Sequence, residues 1–281
     1  MSAPAPITHY ENFPVASLLC PARLRAPIAA IYHFARTADD LADEGNASAA
    51  QRLNDLQRYR ADLLAVACGS TAPTGWPHVF VPLAATLATW ALPVKLLCDL
   101  LDAFEQDVRF TATRTRYAND TELLDYCSRS ANPVGRLLLH LYGENDAHAL
   151  QQSDQICTAL QLINFWQDLR VDLSRARIYP SLQTMARYGV SLQDLSPDSQ
   201  SQQARAMVQA YVQDARRRML QGAPLAMKLP GRVGWELRAV VQGGLRMLER
   251  IENMDYASWR KRPVLGKGDA TLVLWRGLWM R

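Results

Sequence analysis

The chain has 281 residues, 49% hydrophobic and 21% charged, with a formal net charge of +4. This is the balance of a globular protein with room for one large core or two smaller ones. Its basic charge rests on 27 Arg against 4 Lys, a bias that reads as genome composition; with no arginine block and no zinc-finger spacing, no nucleic-acid partner is expected. The N-terminal stretch MSAPAPITHYENFP carries neither a basic nor an apolar leader region. No apolar run approaches the roughly 20 residues of a bilayer span. The five cysteines form no CxxC pair, so they read as reduced core residues of a cytoplasmic protein.

In chain order, apolar residues recur at three- and four-residue spacing over 22–43, 49–67, 77–90, 94–108, 120–142, 147–173, 201–221 and 232–254, which predicts eight helices. Breakers separate them: GSTAPTGWP at 69–77, Pro93, YGEND at 142–146, SPDS at 196–199 and LPG at 229–231. NPVG at 132–135 falls inside a helical stretch and is expected to kink or break it. Strand-like alternation is nearly absent, and no repeat or linker divides the chain. The expectation is a single all-α domain, many helices around a central space. The segment VRFTATRTRY at 108–117 reads as an insertion. WRKRPVLGKGD at 259–269 reads mainly as solvated surface, with a diphosphate or an anionic membrane as the alternatives. The apolar and basic end, ATLVLWRGLWMR, reads as a helix packed on the core, with peripheral contact with a membrane surface as the alternative.

Two stretches carry chemistry. FARTADDLADEG, Phe34 to Gly45, crowds Asp39, Asp40, Asp43 and Glu44 after an apolar run. Asp39 and Asp43 are four apart and share a helix face with Arg36 and Tyr32. Ionised carboxylates at that spacing repel, and near a helix C-terminus they also oppose the dipole. The alternatives are a solvated helix end and a site for a divalent cation, and oxygen ligands of this kind select Mg²⁺. In QLINFWQDLRVD, residues 161–172, Gln161, Asn164, Asp168 and Asp172 fall at spacings of three, four and four. That makes one polar face in the most apolar helical segment, where polar groups need partners.

Two such faces suit two or three Mg²⁺ ions gripping a diphosphate. There is no Gly-rich phosphate loop, no G-x-S-x-G and no zinc spacing among the five His, which disfavours an ATP site, a serine hydrolase and a zinc enzyme. A metal-held diphosphate in a helical bundle implies ionisation of an allylic or cyclopropylcarbinyl diphosphate. The cation left behind is stabilised by aromatic faces, for which Tyr32, Tyr126, Phe165 and Trp166 are candidates against the plainer reading of core residues.

YHFARTADDLADEG, DYCSRSANPVGRLL and QLINFWQDLRVDLSRARIY, in this order and spacing, resemble the squalene/phytoene synthase family over roughly residues 9–263. DDLAD alone also fits head-to-tail prenyltransferases and terpene cyclases, whose second motifs are absent. The resemblance implies the isoprenoid synthase helical bundle and Mg²⁺-dependent chemistry on prenyl diphosphates. Position by position, it implies that Asp39, Asp43, Asp168 and Asp172, with Asn164, hold metal, and that Tyr126 acts in catalysis. It also implies that His9, Phe13, Tyr32, Arg36, Gln161 and Tyr179 line the substrate site, to which Phe165, as an aromatic face, and Asn132, as a departure from the family's pattern, are added as candidates.

Within the family, HYENFPVASLLCPARLRAPIAAIYHFARTADDLADEG is most similar to the bacterial hydroxysqualene-forming branch, which serves hopanoid synthesis. That branch implies presqualene diphosphate as substrate, water capture to hydroxysqualene, and no NAD(P)H. It also implies functional handover from a presqualene diphosphate synthase and to a hydroxysqualene reductase. The alternatives are presqualene diphosphate synthase, squalene synthase or phytoene synthase and, more remotely, a non-catalytic helical assembly module. A-N-P-V-G at 131–135 replaces the family's usual A-G-x-V-G, and Asn132 is expected to help admit or position the water. RIYPS lacks the family's leucine, so the loop after the second motif is expected to be one residue shorter.

Overall fold

The computed structural model describes residues 21–70, 72 and 74–280, and among them it contains helices and turns but no strand. The helices are α1 (Ala22–Asp43), α2 (Ala49–Ala67), α3 (Pro77–Trp90), α4 (Val94–Thr113), α5 (Asp120–Ser130), α6 (Asn132–Tyr142), α7 (Ala147–Gln167), α8 (Leu169–Ser174), α9 (Leu182–Tyr188), α10 (Gln202–Gly222), α11 (Leu225–Lys228), α12 (Gly231–Glu252) and α13 (Lys267–Leu278). The chain forms two compact units. One is the described part of Met1–Thr113 with Pro133–Asp146; the other is Arg114–Asn132 with Ala147–Arg281.

In the first unit, α1 buries Leu24, Ile28, Ile31, Phe34, Ala38 and Ala42. These positions fall three or four apart and make one apolar stripe. They pack with α2, α3, α4 and α6 around an aromatic centre. Tyr59 stacks on Phe34 at 5.2 Å and meets Trp76 at 5.0 Å and Phe80 at 4.7 Å. The Tyr59 hydroxyl donates to the Phe34 carbonyl at 3.1 Å, so the ring is buried without an orphaned polar group. The stripe uses one side of α1 and leaves Tyr32, Arg36, Asp39 and Asp43 on the other.

In the second unit, α7 is buried around most of its circumference, from Ala149 to Gln167, as expected of a central helix. It packs against α5, α10 and α12. Gly222 lets α10 approach it: a Cβ there would sit 2.5 Å from the Gln152 carbonyl oxygen. Trp166, fully buried, stacks on Tyr211 of α10 at 4.1 Å; truncating a tryptophan so placed costs about 3–5 kcal/mol.

The boundaries of α1, α2 and α3 match the periodic segments. Elsewhere the structure corrects them. The helix expected over 94–108 runs on to Thr113, so the first half of the supposed insertion is helical. The 120–142 segment breaks at Ala131, before NPVG, which opens α6. The 147–173 segment breaks at Asp168. The short helices α9 and α11 lie outside the predicted segments, although Ser181 caps α9 through the Thr184 N–H and Gly189 ends it at φ 65°. Cys127 and Cys157 are buried, but Cys68 is exposed and Cys98 only partly covered, against the expectation of core cysteines. Among the described residues no helix is long and apolar enough to cross a membrane.

Candidate active site

The last turn of α1 concentrates negative charge and holds no basic residue of its own. Arg36, one turn earlier, supplies the counter-charge. Its Nη1 lies 3.4 Å from Asp39 Oδ2, and its Nη2 lies 2.7 Å from both Asp40 Oδ1 and Glu44 Oε1. Burial raises the pKa of Asp40; Arg36 opposes that rise, while Glu44 and Asp43 add to it. Tyr32 and Asp43 stand on the same half-buried face. Beside Tyr32, the imidazole of His33 is lowered in pKa by burial and then by His78.

In the second unit the polar face crosses a helix break. Gln161 and Asn164 lie on α7, Asp168 sits between helices, and Asp172 lies on α8; all four are half-buried. Backbone bonds hold the turn: Asp168 N–H donates to the Asn164 carbonyl at 2.8 Å and Asp172 N–H to the Asp168 carbonyl at 2.9 Å. Asp168 has φ −96° and ψ 10°, and its side chain does not cap α8. Its carboxylate is taken instead by Arg262, which donates from Nε to Oδ1 and from Nη2 to Oδ2, the latter at 3.2 Å. The bond to Asp168 also raises the pKa of Arg262. The loop carrying Arg262 is fastened on both sides: Arg170 donates to the Arg260 carbonyl, and Gln167 Nε2 to the Pro263 carbonyl at 3.1 Å. Sequence reasoning read the segment holding Arg262 mainly as surface, with a diphosphate or an anionic membrane as alternatives, and did not find the pairing with Asp168; the signal was the cluster of charge in RKRP.

Three of the expected site residues meet in an aromatic wall. Phe165 of α7 and Tyr179 stack at 3.7 Å, 13° from parallel. Tyr126 of α5 lies 6.1 Å from the first and 6.5 Å from the second. Tyr117 extends the wall, 5.9 Å from Tyr126 and 6.4 Å from Tyr179; the expected insertion thus delivers an aromatic that sequence analysis did not single out. Trp166 faces away into the core against Tyr211, which removes it from the candidates.

The wall is braced by Asp120, which accepts from Ser181 Oγ at 2.6 Å, Thr184 Oγ1 at 2.8 Å and the Tyr211 hydroxyl at 3.0 Å. The Tyr211 hydroxyl in turn accepts from the Ser181 N–H at 3.1 Å. Burial, then the Asp120 charge, pushes its pKa up to about 12, so it stays a donor. Asn132 is buried, and its amide oxygen accepts from Thr158 Oγ1 at 2.9 Å. His9 and Phe13 lie outside the described residues.

Each acidic group offers only oxygen donors, the set suited to a hard cation. Among the described residues no three His, Cys, Asp or Glu side chains form a ready metal cage.

Comparison with known proteins places the fold and the family. Residues 8–269 match the model of the squalene/phytoene synthase family. The chain is similar to a hydroxysqualene synthase of Rhodopseudomonas palustris, 33% identical over 252 residues, 89% of this chain and 82% of that one. It is similar to a second, of Sinorhizobium fredii, 37% identical over 194 residues, 69% of this chain and 62% of that one, under two thirds of its length. Among solved structures, squalene synthase HpnC from Alicyclobacillus acidocaldarius superposes with a TM-score of 0.78 at 33% identity, covering 88% of this chain and 90% of that one.

Proposed function

The chain belongs to the squalene/phytoene synthase family, and from that premise we propose that it is a hydroxysqualene synthase acting on presqualene diphosphate. The observation that carries the reading is the alignment of 89% of the chain with a protein of that name. In the reaction the carbon–oxygen bond to diphosphate breaks and its electron pair leaves with the diphosphate. The cyclopropylcarbinyl cation rearranges, and a water oxygen bonds to the product cation and loses a proton. One presqualene diphosphate and one water give hydroxysqualene, diphosphate and a proton.

Asp39, Asp43, Asp168 and Asp172, with Asn164, are the proposed oxygen ligands of two or three Mg²⁺ ions. When bound, those ions supply Lewis-acid stabilisation of the charge that forms on the leaving diphosphate. Tyr32, Arg36 and Gln161 bind the diphosphate end of the substrate. Tyr126 and one outer face of the stacked Phe165–Tyr179 pair are offered to the cation, a stabilisation on the order of 1–2 kcal/mol per desolvated contact. Asn132 orients the capturing water. His9 and Phe13 belong to the proposed substrate site by resemblance alone.

A lipophilic substrate and product of this kind require a condensing enzyme upstream and a reductase downstream, and imply peripheral membrane contact. The test is incubation of purified protein with Mg²⁺ and either presqualene diphosphate or farnesyl diphosphate. Hydroxysqualene from the first and no product from the second is expected. Condensation of farnesyl diphosphate would assign the chain to another branch of the family.

A further inference from the structure

The helix α13 is amphipathic in the inverted sense. Two of its charged groups, Asp269 and Arg276, turn inward onto α12. Asp269, 2% exposed, accepts from Arg246 Nε at 2.6 Å and from Arg250 Nη2 at 2.6 Å, and also from the Gly266 N–H at 2.7 Å. Arg276 pairs with Glu249, which Arg246 also holds, at 2.6 Å. The apolar groups turn outward. Leu274 is 65% exposed, Trp275 58%, Leu278 59% and Trp279 62%. At roughly 100° per residue these four fall within a single arc of about 140°, and the two indoles stand 5.7 Å apart. Val264 and Leu265, in the loop before the helix, are exposed as well. A surface helix of a globular protein normally has the opposite polarity, and contiguous exposed apolar patches mark a contact.

We propose that the outer face of α13 docks this protein on an anionic lipid bilayer, lying in the interface plane. Charge complementarity selects lipid over a second copy. From Lys261 to Met280 the sole acidic residue is Asp269, which is buried and paired, whereas Lys261 and Lys267 are exposed. Two copies meeting face to face would oppose these lysines, but anionic headgroups attract them. Tryptophan at four-residue spacing suits the same occupant: each indole places its ring among the acyl chains and its N–H at the headgroups. Gly266, which opens α13, is four residues beyond Arg262, the partner of Asp168, and the loop between is tied to α7 through Gln167. The docking stands apart from the reaction; only its use, receipt of a lipophilic diphosphate from the membrane, rests on the function proposed above.

The test is flotation of the full chain, without substrate, with vesicles of phosphatidylcholine alone or mixed with phosphatidylglycerol. Binding to the anionic vesicles, weakened by added salt, is expected, with quenching of tryptophan fluorescence by bromine-labelled acyl chains. Trp275→Ser with Trp279→Ser should lower binding on the order of tenfold while leaving the circular dichroism spectrum unchanged. Leu274→Gln with Leu278→Gln, which keeps both indoles, should do the same. Equal binding by wild type and both variants overturns the proposal. So does a wild-type chain that ignores vesicles and sediments as a dimer broken by either variant, which assigns the face to a second copy.

Discussion

The carboxylate of Asp168, at the residue where α7 stops and α8 begins, is held by two bonds from the guanidinium of Arg262, 94 positions later in the chain. A carboxylate so paired attracts a metal less strongly, because the guanidinium charge competes with the cation for the same two oxygens. Arg262→Gln is therefore expected to lower the Mg²⁺ concentration needed for half-maximal diphosphate release, because the competitor is gone. Maximal turnover should fall at least tenfold, since the loop loses its hold on the α7–α8 break. Arg262→Lys restores charge without the planar fork and should recover the metal dependence but not the rate. Rate measured against Mg²⁺ concentration separates the two effects.

At the end of α1 the sign of a pH effect follows from Asp40. Its pKa is raised, first by burial, against the pull of Arg36. The folded chain then binds a proton more tightly than the unfolded chain does. Stability contributed at this site is present at or below the ordinary aspartate range and is lost as pH rises through the raised value. Thermal melts without metal should show Tm falling across that window. Asp40→Asn should flatten the fall, and Mg²⁺, by adding positive charge nearby, should reduce it in the wild type. An unchanged pH slope in Asp40→Asn would locate the effect elsewhere.

How much of this was legible in the sequence varies with the range of the interaction. The face of α1 was readable because Tyr32, Arg36, Asp39 and Asp43 are related by helical spacing alone, and that helix runs unbroken through all four. The second face was readable as spacing but not as geometry: the backbone bonds continue through Asp168 while its dihedrals end α7, and no residue type there announces a break. The pairing of Arg262 with Asp168 and of Tyr117 with Tyr179 was invisible because the partners lie far apart in sequence. Trp166 and Phe165 are neighbours with equal aromatic character, and only packing sends one to Tyr211 and the other to Tyr179. The inverted polarity of α13 was likewise hidden: an apolar arc reads the same whether it faces core or solvent, and the arginines of α12 decide which.

The Asp120 brace should act on stability and on the wall together. Tyr211→Phe removes the hydroxyl that donates to Asp120 and accepts from the Ser181 N–H. Loss of two partly buried bonds costs about 1–3 kcal/mol, measurable by urea denaturation. Asp120→Asn keeps the shape but gives up the charge and one of two accepting oxygens, so either Thr184, or Ser181 and Tyr211 together, meets an amide N–H instead. A larger loss than for Tyr211→Phe is expected. Because Ser181 is two residues from Tyr179, both variants should also alter the ratio of products. A wall independent of the brace would leave that ratio at the wild-type value.

Asn132 and Thr158 allow the water-positioning role to be separated from a packing role. The Asn132 amide oxygen is committed to the Thr158 hydroxyl at 2.9 Å, so what Asn132 offers a water depends on Thr158 fixing the amide's orientation. Asn132→Gly deletes the amide; Thr158→Val keeps it but removes the donor that orients it, at a cost of about 1–2 kcal/mol for a buried acceptor left unpaired. If Asn132 orients the water, both variants should shift product from the alcohol toward hydrocarbons formed by proton loss. Thr158→Val should shift it less, since the amide is still present and samples its old orientation part of the time. A packing role predicts the reverse order in stability and no change in product: both variants would lower Tm, and the alcohol would stay the main product. Product analysis with presqualene diphosphate beside thermal melts of the same preparations distinguishes the two, and an unchanged product mixture in Asn132→Gly would end the water-positioning role.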